Sequence, residues 1–422
     1  MEGSATAKNH GVNTSSRERL GGAKQNLVGV VVGGAGFTGQ HLVRRLLSGL
    51  ERPKCEAYAE VRVVDVQPPT ADLLCDPRVR FVLCSAGVDV SSDDKPSSAL
   101  LRAFSGASVC FYVASTDSRT LSRRRAWQTN VLGAVQCLEL AQQLHVKAYV
   151  YTSTHNVVCD FRSPLRDADE ASTRIPSRHR DIYSASKAAA ERVLLTRSVS
   201  ESFPVCAIRP VGIYGPGERV HFSRLLQLSR YLGIQKIETV PHDPHCMDWV
   251  HVESVAEAEM LAAAALMDPA RHHLVAGKAF FVTDDGGPTS VQRVFDPVLE
   301  AAGVRMPDKR IRVHWRLLYL LAALFELVAW ILDDKPVLMR MEILKAHVAH
   351  TFRADAARRI LGYRPRYTTA HGIQMWAQQL RETQGDQPLE IDPVEIRRLG
   401  RQLITPVAVG VTLAALAYSI KG

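Results

Sequence analysis

Residues 27–32 (LVGVVV) run without a polar side chain into Gly33-Gly34-Ala35-Gly36-Phe37-Thr38-Gly39, and residues 41–47 (HLVRRLL) resume with apolar positions at helical spacing. A short continuous apolar run marks a parallel strand covered on both faces, so the order reads strand, glycine turn, helix. Glycines at 33, 36 and 39 permit a tight turn, close backbone approach to a pyrophosphate, and close packing of helix on strand. The helix N-terminus adds free amides and the positive end of its dipole, both of which favour a pyrophosphate.

A second candidate strand, 61–64, ends in Asp65, somewhat beyond the usual ~20 residues after the glycines. A carboxylate there can accept hydrogen bonds from the adenosine ribose and repels the extra phosphate of NADP, so NAD is the expected cofactor. Further candidate strands lie at 81–84, 109–114, 148–151 and 205–208, with helical stretches such as 131–144 and 184–195 between them. This alternation predicts an α/β chain of the Rossmann type, a doubly wound parallel sheet with helices on both faces. Its ligands are expected beyond the carboxyl ends of the strands.

The length of 422 residues and a 46% hydrophobic content suit one large α/β unit or two closely connected ones. The formal charge of +9 invites a nucleic-acid reading, but the arginines are spread along the chain with no accompanying motif, so no nucleic-acid partner is expected. Eight cysteines stand singly with no CxxC pair, and His272-His273 and His242/His245 lack metal-ligand spacing. Reduced buried thiols and no metal follow from that. Residues 1–25 read as a disordered leader without the apolar stretch of a secretory signal.

Two elements carry the chemistry. Tyr151-Thr152-Ser153-Thr154 ends the fifth candidate strand with three hydroxyls in a row, and Tyr183-Ser184-Ala185-Ser186-Lys187 opens an alanine-rich helix. A tyrosine and a lysine four apart share one helix face. An ammonium so placed is expected to lower the phenol from its usual value of about 10, letting Tyr183 accept an alcohol proton or return it to a ketone. Lys187 can also hold the nicotinamide ribose, and Thr154 can orient the substrate oxygen.

Together with Asn130-Val-Leu-Gly133, Arg209-Pro-Val-Gly-Ile-Tyr-Gly-Pro-Gly217 and Asp248-Trp-Val-His-Val252, these motifs resemble the extended short-chain dehydrogenase/reductases. Within them the likeness is to the 3β-hydroxysteroid dehydrogenase and sterol 4-carboxylate dehydrogenase family, including the short-chain dehydrogenase/reductase family 42E proteins, over roughly 27–383. The resemblance implies Tyr183 as proton acceptor, Lys187 as its partner and ribose ligand, and Thr154 where serine is usual. It also implies Gly33, Gly36, Phe37 and Gly39 at the pyrophosphate, Asp65 at the adenosine ribose, Asp89 near adenine, and Asn130 as a support. Two positions depart from the family's pattern. Thr154 is stiffer at χ1 than serine, and Tyr112 stands where relatives often have histidine.

The domain reading is an NAD-binding unit over 26–210 and an interleaved substrate-binding lobe over 211–390. Residues 315–332 (WRLLYLLAALFELVAWIL) read as a buried core helix, a ligand wall or a helix lying in a membrane interface. Residues 404–420 (ITPVAVGVTLAALAYSI), within a candidate anchor over 403–420, are uncharged and follow Arg397, Arg398 and Arg401. At ~1.5 Å per residue they extend roughly 25 Å, a marginal membrane span. The resulting expectation is an NAD-dependent dehydrogenase for a lipophilic sterol or steroid. It would be held on the endoplasmic reticulum membrane with its catalytic part cytosolic, the alternative being a cytoplasmic protein, and the resemblance leaves room for a homodimer. A nucleotide-sugar epimerase-like enzyme and a non-catalytic NAD-binding membrane protein are the competing readings.

Overall fold

The computed structural model describes residues 26–51, 55–85, 97–200, 202–218, 220–241, 243, 245–384, 397 and 400–401. The expected leader (1–25), Asp89 and the apolar stretch 403–420 lie outside the described residues.

Seven strands form one parallel sheet: β1 (Val28–Val32), β2 (Glu60–Asp65), β3 (Val79–Leu83), β4 (Val109–Tyr112), β5 (Ala148–Thr152), β6 (Val205–Pro210) and β7 (Ala279–Val282). Their order is β7-β6-β5-β4-β1-β2-β3, with Val31 paired to Val63 on one side and to Phe111 on the other. Strand order therefore reverses between β1 and β4, which opens a crevice where a doubly wound sheet binds its ligand. Every residue of β4, β5 and β6 is buried, so these strands have no polar face to alternate with, and their sequences read as continuous apolar runs.

Neighbouring residues serve opposite faces. Val31, Phe111, Val150 and Ile208 pack toward α1 (Phe37–Ser48) and α4 (Val252–Met267). Val30, Cys110, Tyr149 and Ala207 pack toward α2 (Ala134–Gln143) and α3 (Ile182–Ser200). Because β7 and α4 both come from beyond residue 210, the sheet and its cover draw on the segment expected to form the substrate lobe. Six of the eight cysteines are buried, and none is in a disulfide among the described residues.

The C-terminal half builds its own core around Trp249, Phe295 and Trp376, using helices Phe222–Leu232, Val291–Ala301 and Thr369–Gln384. Residues 315–332 are not the buried core helix that was one reading of them. They form α5 (Trp315–Ile331), which packs on α6 (Arg340–His347) through Leu318 and Ala322 and leaves its other face exposed. Among the described residues, no helix is long and apolar enough to cross a membrane.

Candidate active site

The glycine turn sits at the crevice between β1 and β4. Gly33 has φ of +85°, and a Cβ there would lie 2.5 Å from the backbone of Ala114 after β4. A Cβ on Gly39 would lie 2.2 Å from Gly33 O. Only glycine allows both approaches. Gly36 caps α1 without a side-chain acceptor, and the first turn of the helix holds no carboxylate. Amides that normally need a cap therefore lie at the cavity, with no carboxylate in that first turn itself. These features fit a dinucleotide pyrophosphate.

Asp65 closes β2 beside this turn. Its Oδ2 accepts from Ala35 N at 2.9 Å and its Oδ1 from Val66 N at 2.7 Å, so it braces the glycine turn as well as lining the cavity. Asp89 lies outside the described residues, and nothing structural attaches to it.

Tyr183 and Lys187 stand one turn apart at the start of α3, and both line the cavity with Thr154. The Thr154 hydroxyl accepts from Asn156 N at 3.3 Å, capping a short 3-10 turn (His155–Val158) that fixes the end of β5. Asn130 is fully buried. It accepts from Thr116 N at 2.9 Å and donates to Ser186 Oγ at 2.9 Å, and Ser186 Oγ in turn donates to Tyr183 O at 2.8 Å. That chain ties the segment after β4 to the first turn of α3.

The electrostatics correct one expectation. Lys187 was expected to hold the Tyr183 phenol below its ordinary value. Burial instead pushes the phenol up to about 12, partly offset by a hydrogen bond with Ser115, while Asp181 and Asp117 add to the rise. Lys187 is itself buried, and desolvation brings it down to about 7 against the pull of Glu191 and Glu259. Its ammonium donates to Thr152 O at 2.5 Å and lies 4.4 Å from the Tyr151 ring centroid. Burial therefore outweighs any pull that Lys187 exerts on the phenol.

The second departure does not line the cavity but lies one ring behind Lys187. Tyr112 faces the α2–α3 side of the sheet, stacks with Tyr149 and Tyr151, and donates to Thr129 O at 2.5 Å.

Sequence reasoning missed the polar layer beneath the site. Glu191, one turn after Lys187, accepts from Ser153 Oγ at 2.5 Å and forms a buried ion pair with Arg209. The i, i+4 spacing in KAAAE was the available signal. Glu259, fully buried on α4, accepts from the Thr152 hydroxyl, and its Oε2 has no partner. Burial raises this carboxyl to about 7, opposed by Thr152 and Lys187. Nothing local announces Glu259, because its partner lies 107 positions away.

A cavity of about 1010 Å³ joins these groups. It is lined by the glycine turn and Asp65, by Thr154, Tyr183 and Lys187, and by apolar side chains including Leu225, Ile237, Leu318, Leu338 and Ile343.

Residues 30–313 match the model of the 3-beta hydroxysteroid dehydrogenase/isomerase family. Short-chain dehydrogenase/reductase family 42E member 1 of Danio rerio is 30% identical over 364 residues, covering 83% of this chain and 87% of that protein. The 3beta-hydroxysteroid-dehydrogenase/decarboxylase isoform 1 of Arabidopsis thaliana is 26% identical over 395 residues, covering 91% and 86%. A solved dTDP-glucose 4,6-dehydratase from Streptomyces venezuelae with NAD superposes with a TM-score of 0.59 at 23% identity, covering 85% of this chain and 98% of that one. A UDP-glucose 4-epimerase from Thermotoga maritima with UDP-glucose gives 0.60 at 18% identity, covering 85% and 99%. At such identities the solved structures speak for the fold alone.

Proposed function

Because the chain belongs to the 3-beta hydroxysteroid dehydrogenase/isomerase family, we propose that it is an NAD-dependent oxidoreductase acting on the CH–OH group of a lipophilic substrate, a 3β-hydroxysteroid or sterol. One observation carries this reading. Tyr183, Lys187 and Thr154 line a single cavity that begins at the glycine turn and continues into a chamber whose lining combines Leu225, Ile237, Leu318, Leu338 and Ile343 with charged side chains such as Arg224 and Arg310.

NAD would be held through its pyrophosphate by the turn at Gly33, Gly36, Phe37 and Gly39, and through its adenosine ribose by Asp65. When bound, it supplies the hydride acceptor for alcohol oxidation. Tyr183 exchanges a proton with the substrate oxygen, its phenolate taking the proton during oxidation and its phenol returning it during reduction. Thr154 orients that oxygen from the opposite element. Lys187, kept in place by the Thr152 carbonyl, supplies positive charge one turn below the phenol. Asn130 and Ser186 act on the reaction only by fixing the first turn of α3.

The steroid assignment is supported by the apolar part of the lining and by the activity that the Arabidopsis relative is named for. We assign the apolar segment 403–420 as the tether to the endoplasmic reticulum membrane, with the catalytic part cytosolic. The test is NAD reduction, followed by absorbance, against a panel of 3β-hydroxysterols and UDP-sugars. Turnover of a sterol that disappears in Tyr183→Phe while NAD binding persists is the expected result. Unchanged turnover in Tyr183→Phe, or activity on UDP-sugars alone, would overturn the assignment.

A further inference from the structure

Four ionisable side chains are buried in one layer beneath the cavity: Lys187 and Glu191 on α3, Arg209 on β6 and Glu259 on α4. A buried charge is costly unless an opposite charge answers it. Arg209 and Glu191 answer each other directly, with Nη2 and Oε1 2.5 Å apart and Nε shared between both carboxylate oxygens. One amine and one carboxyl remain. Thr152 connects them across the sheet. Its carbonyl oxygen accepts from Lys187 Nζ at 2.5 Å, and its hydroxyl donates to Glu259 Oε1. Successive side chains of a strand point to opposite faces, so the Tyr151 ring meets the ammonium on the α3 side while the Thr152 side chain turns toward α4. The other carboxyl oxygen, Glu259 Oε2, meets no donor among the described residues.

The other groups around the pair do not supply the missing charge. Tyr151 on β5, Cys206 on β6 and Tyr183 on α3 are kept neutral by burial, which raises all three. On the α1 side of α4, Arg45 is engaged by Glu257 and Glu253. Arg358, from the turn packed on α4, pairs with Asp285. His251 caps the start of α4 about two turns away, and His272 and His273, beyond its end, are exposed. Burial drives Lys187 down, against the pull of Glu191 and Glu259, and drives Glu259 up, against Thr152 and Lys187.

We propose that Glu259 is a positioning residue for Lys187: its carboxylate, joined through Thr152 from the opposite face of the sheet, supplies the counter-charge that keeps the lysine protonated beneath Tyr183. Glu259 itself touches neither the cavity nor a reacting atom. With Glu191 and Arg209 neutralising each other, the layer is balanced when Lys187 and Glu259 are both charged or both neutral, and unbalanced when either is charged alone. The two therefore titrate as a coupled pair. What that charge does in turnover rests on the dehydrogenase reading, whereas the linkage between the two side chains does not.

The test reads the lysine directly. In the full chain carrying lysine labelled with carbon-13 at Cε, the Lys187 resonance, assigned by its loss in Lys187→Met, is followed against pH. Glu259→Gln keeps the shape of the side chain and an acceptor for Thr152 but removes the charge, so the Lys187 midpoint should fall by about one pH unit or more. Thr152→Val removes the donor that favours the ionised carboxyl and should lower the same midpoint by a smaller amount. In the proposed reaction, the bend that Lys187 deprotonation puts into the pH profile of alcohol oxidation should move to lower pH with it. A purely structural loss would lower that profile and leave the bend in place. A Lys187 midpoint unmoved in both variants would overturn the proposal. A midpoint that moves in a protein with no alcohol turnover would uphold the linkage and overturn the dehydrogenase reading instead.

Discussion

Gly39→Ala adds one methyl group where the turn cannot yield. Its Cβ would lie 2.2 Å from Gly33 O and 2.7 Å from Gly34 Cα. Both are backbone atoms, so no side-chain rotation relieves the contact. The turn and the start of α1 must separate by about 1 Å to reach ordinary van der Waals distance. Overpacking of this kind costs about 1–3 kcal/mol, and the separation moves the amides that would hold a pyrophosphate. NAD affinity should fall at least tenfold, which is about 1.4 kcal/mol. Gly36→Ala separates crowding of the turn from crowding of the ligand. Its Cβ would meet only Gly33 O, at 3.2 Å, a contact that a shift of a few tenths of an ångström relieves, so the fold should keep its stability, while the methyl group enters the cavity where the pyrophosphate would lie and NAD affinity should fall here too. Calorimetric titration with NAD measures both variants, and urea unfolding separates loss of binding from loss of fold. Equal losses of stability from the two substitutions, or unaltered affinity in Gly39→Ala, would refute the account of the turn.

Three further outcomes follow from the buried groups and the chain terminus. Glu191→Gln strands the Arg209 guanidinium in a buried site and should destabilise the protein by about 3–5 kcal/mol in urea unfolding; adding Arg209→Met should recover much of that loss. Glu259 has a folded value of about 7, above its ordinary 4.5. Its contribution to stability is therefore complete at acidic pH and is lost as pH climbs from about 4.5 through 7. Relative to Glu259→Gln, wild type should lose about 3 kcal/mol across that window, and parallel pH–stability curves would contradict this. Deleting residues 403–422 should move the protein from the membrane to the soluble fraction on high-salt washing, and retention there would contradict the tether.

The central strands were legible because they are buried on both faces. β1, β4, β5 and the first four residues of β6 read as apolar runs, and the glycine turn fixes where the first helix begins, whereas the outer strands β2 and β3 carry Arg62 and Arg80 and are only partly buried. β7 was not legible, since its four residues (Ala279–Val282) sit among loops and join the sheet only through β6. Tyr183, Lys187 and Thr154 could be found because local spacing places them, two on one helix face and one at a strand end. The charge state of the tyrosine could not. Spacing brings a lysine near, but only the packed structure reveals that burial outweighs it and that Thr152 O and the Tyr151 ring engage the ammonium. Glu259 is the extreme case, a buried carboxyl in an alanine-rich helix whose meaning comes entirely from what α4 packs against.

Those charge states bear on the direction of the proposed reaction. With burial holding its phenol above the ordinary value, at about 12, Tyr183 is overwhelmingly protonated at neutral pH. As a proton donor it is fully loaded, whereas as an acceptor it is almost empty. Ketone reduction therefore uses the form the protein already holds, and alcohol oxidation must use the rare one. Oxidation, as kcat/KM, should rise about tenfold per pH unit through neutral and mildly alkaline pH, while reduction stays level over the same range. Lys187, at about 7, loses its charge within that range. If its ammonium supports the phenolate, the oxidation slope must bend below tenfold per unit as the amine deprotonates, and Lys187→Met should remove the bend while lowering the whole curve. An oxidation profile that is flat from the start would mean that the phenol is already ionised in the working enzyme, and that its burial does not set its proton affinity.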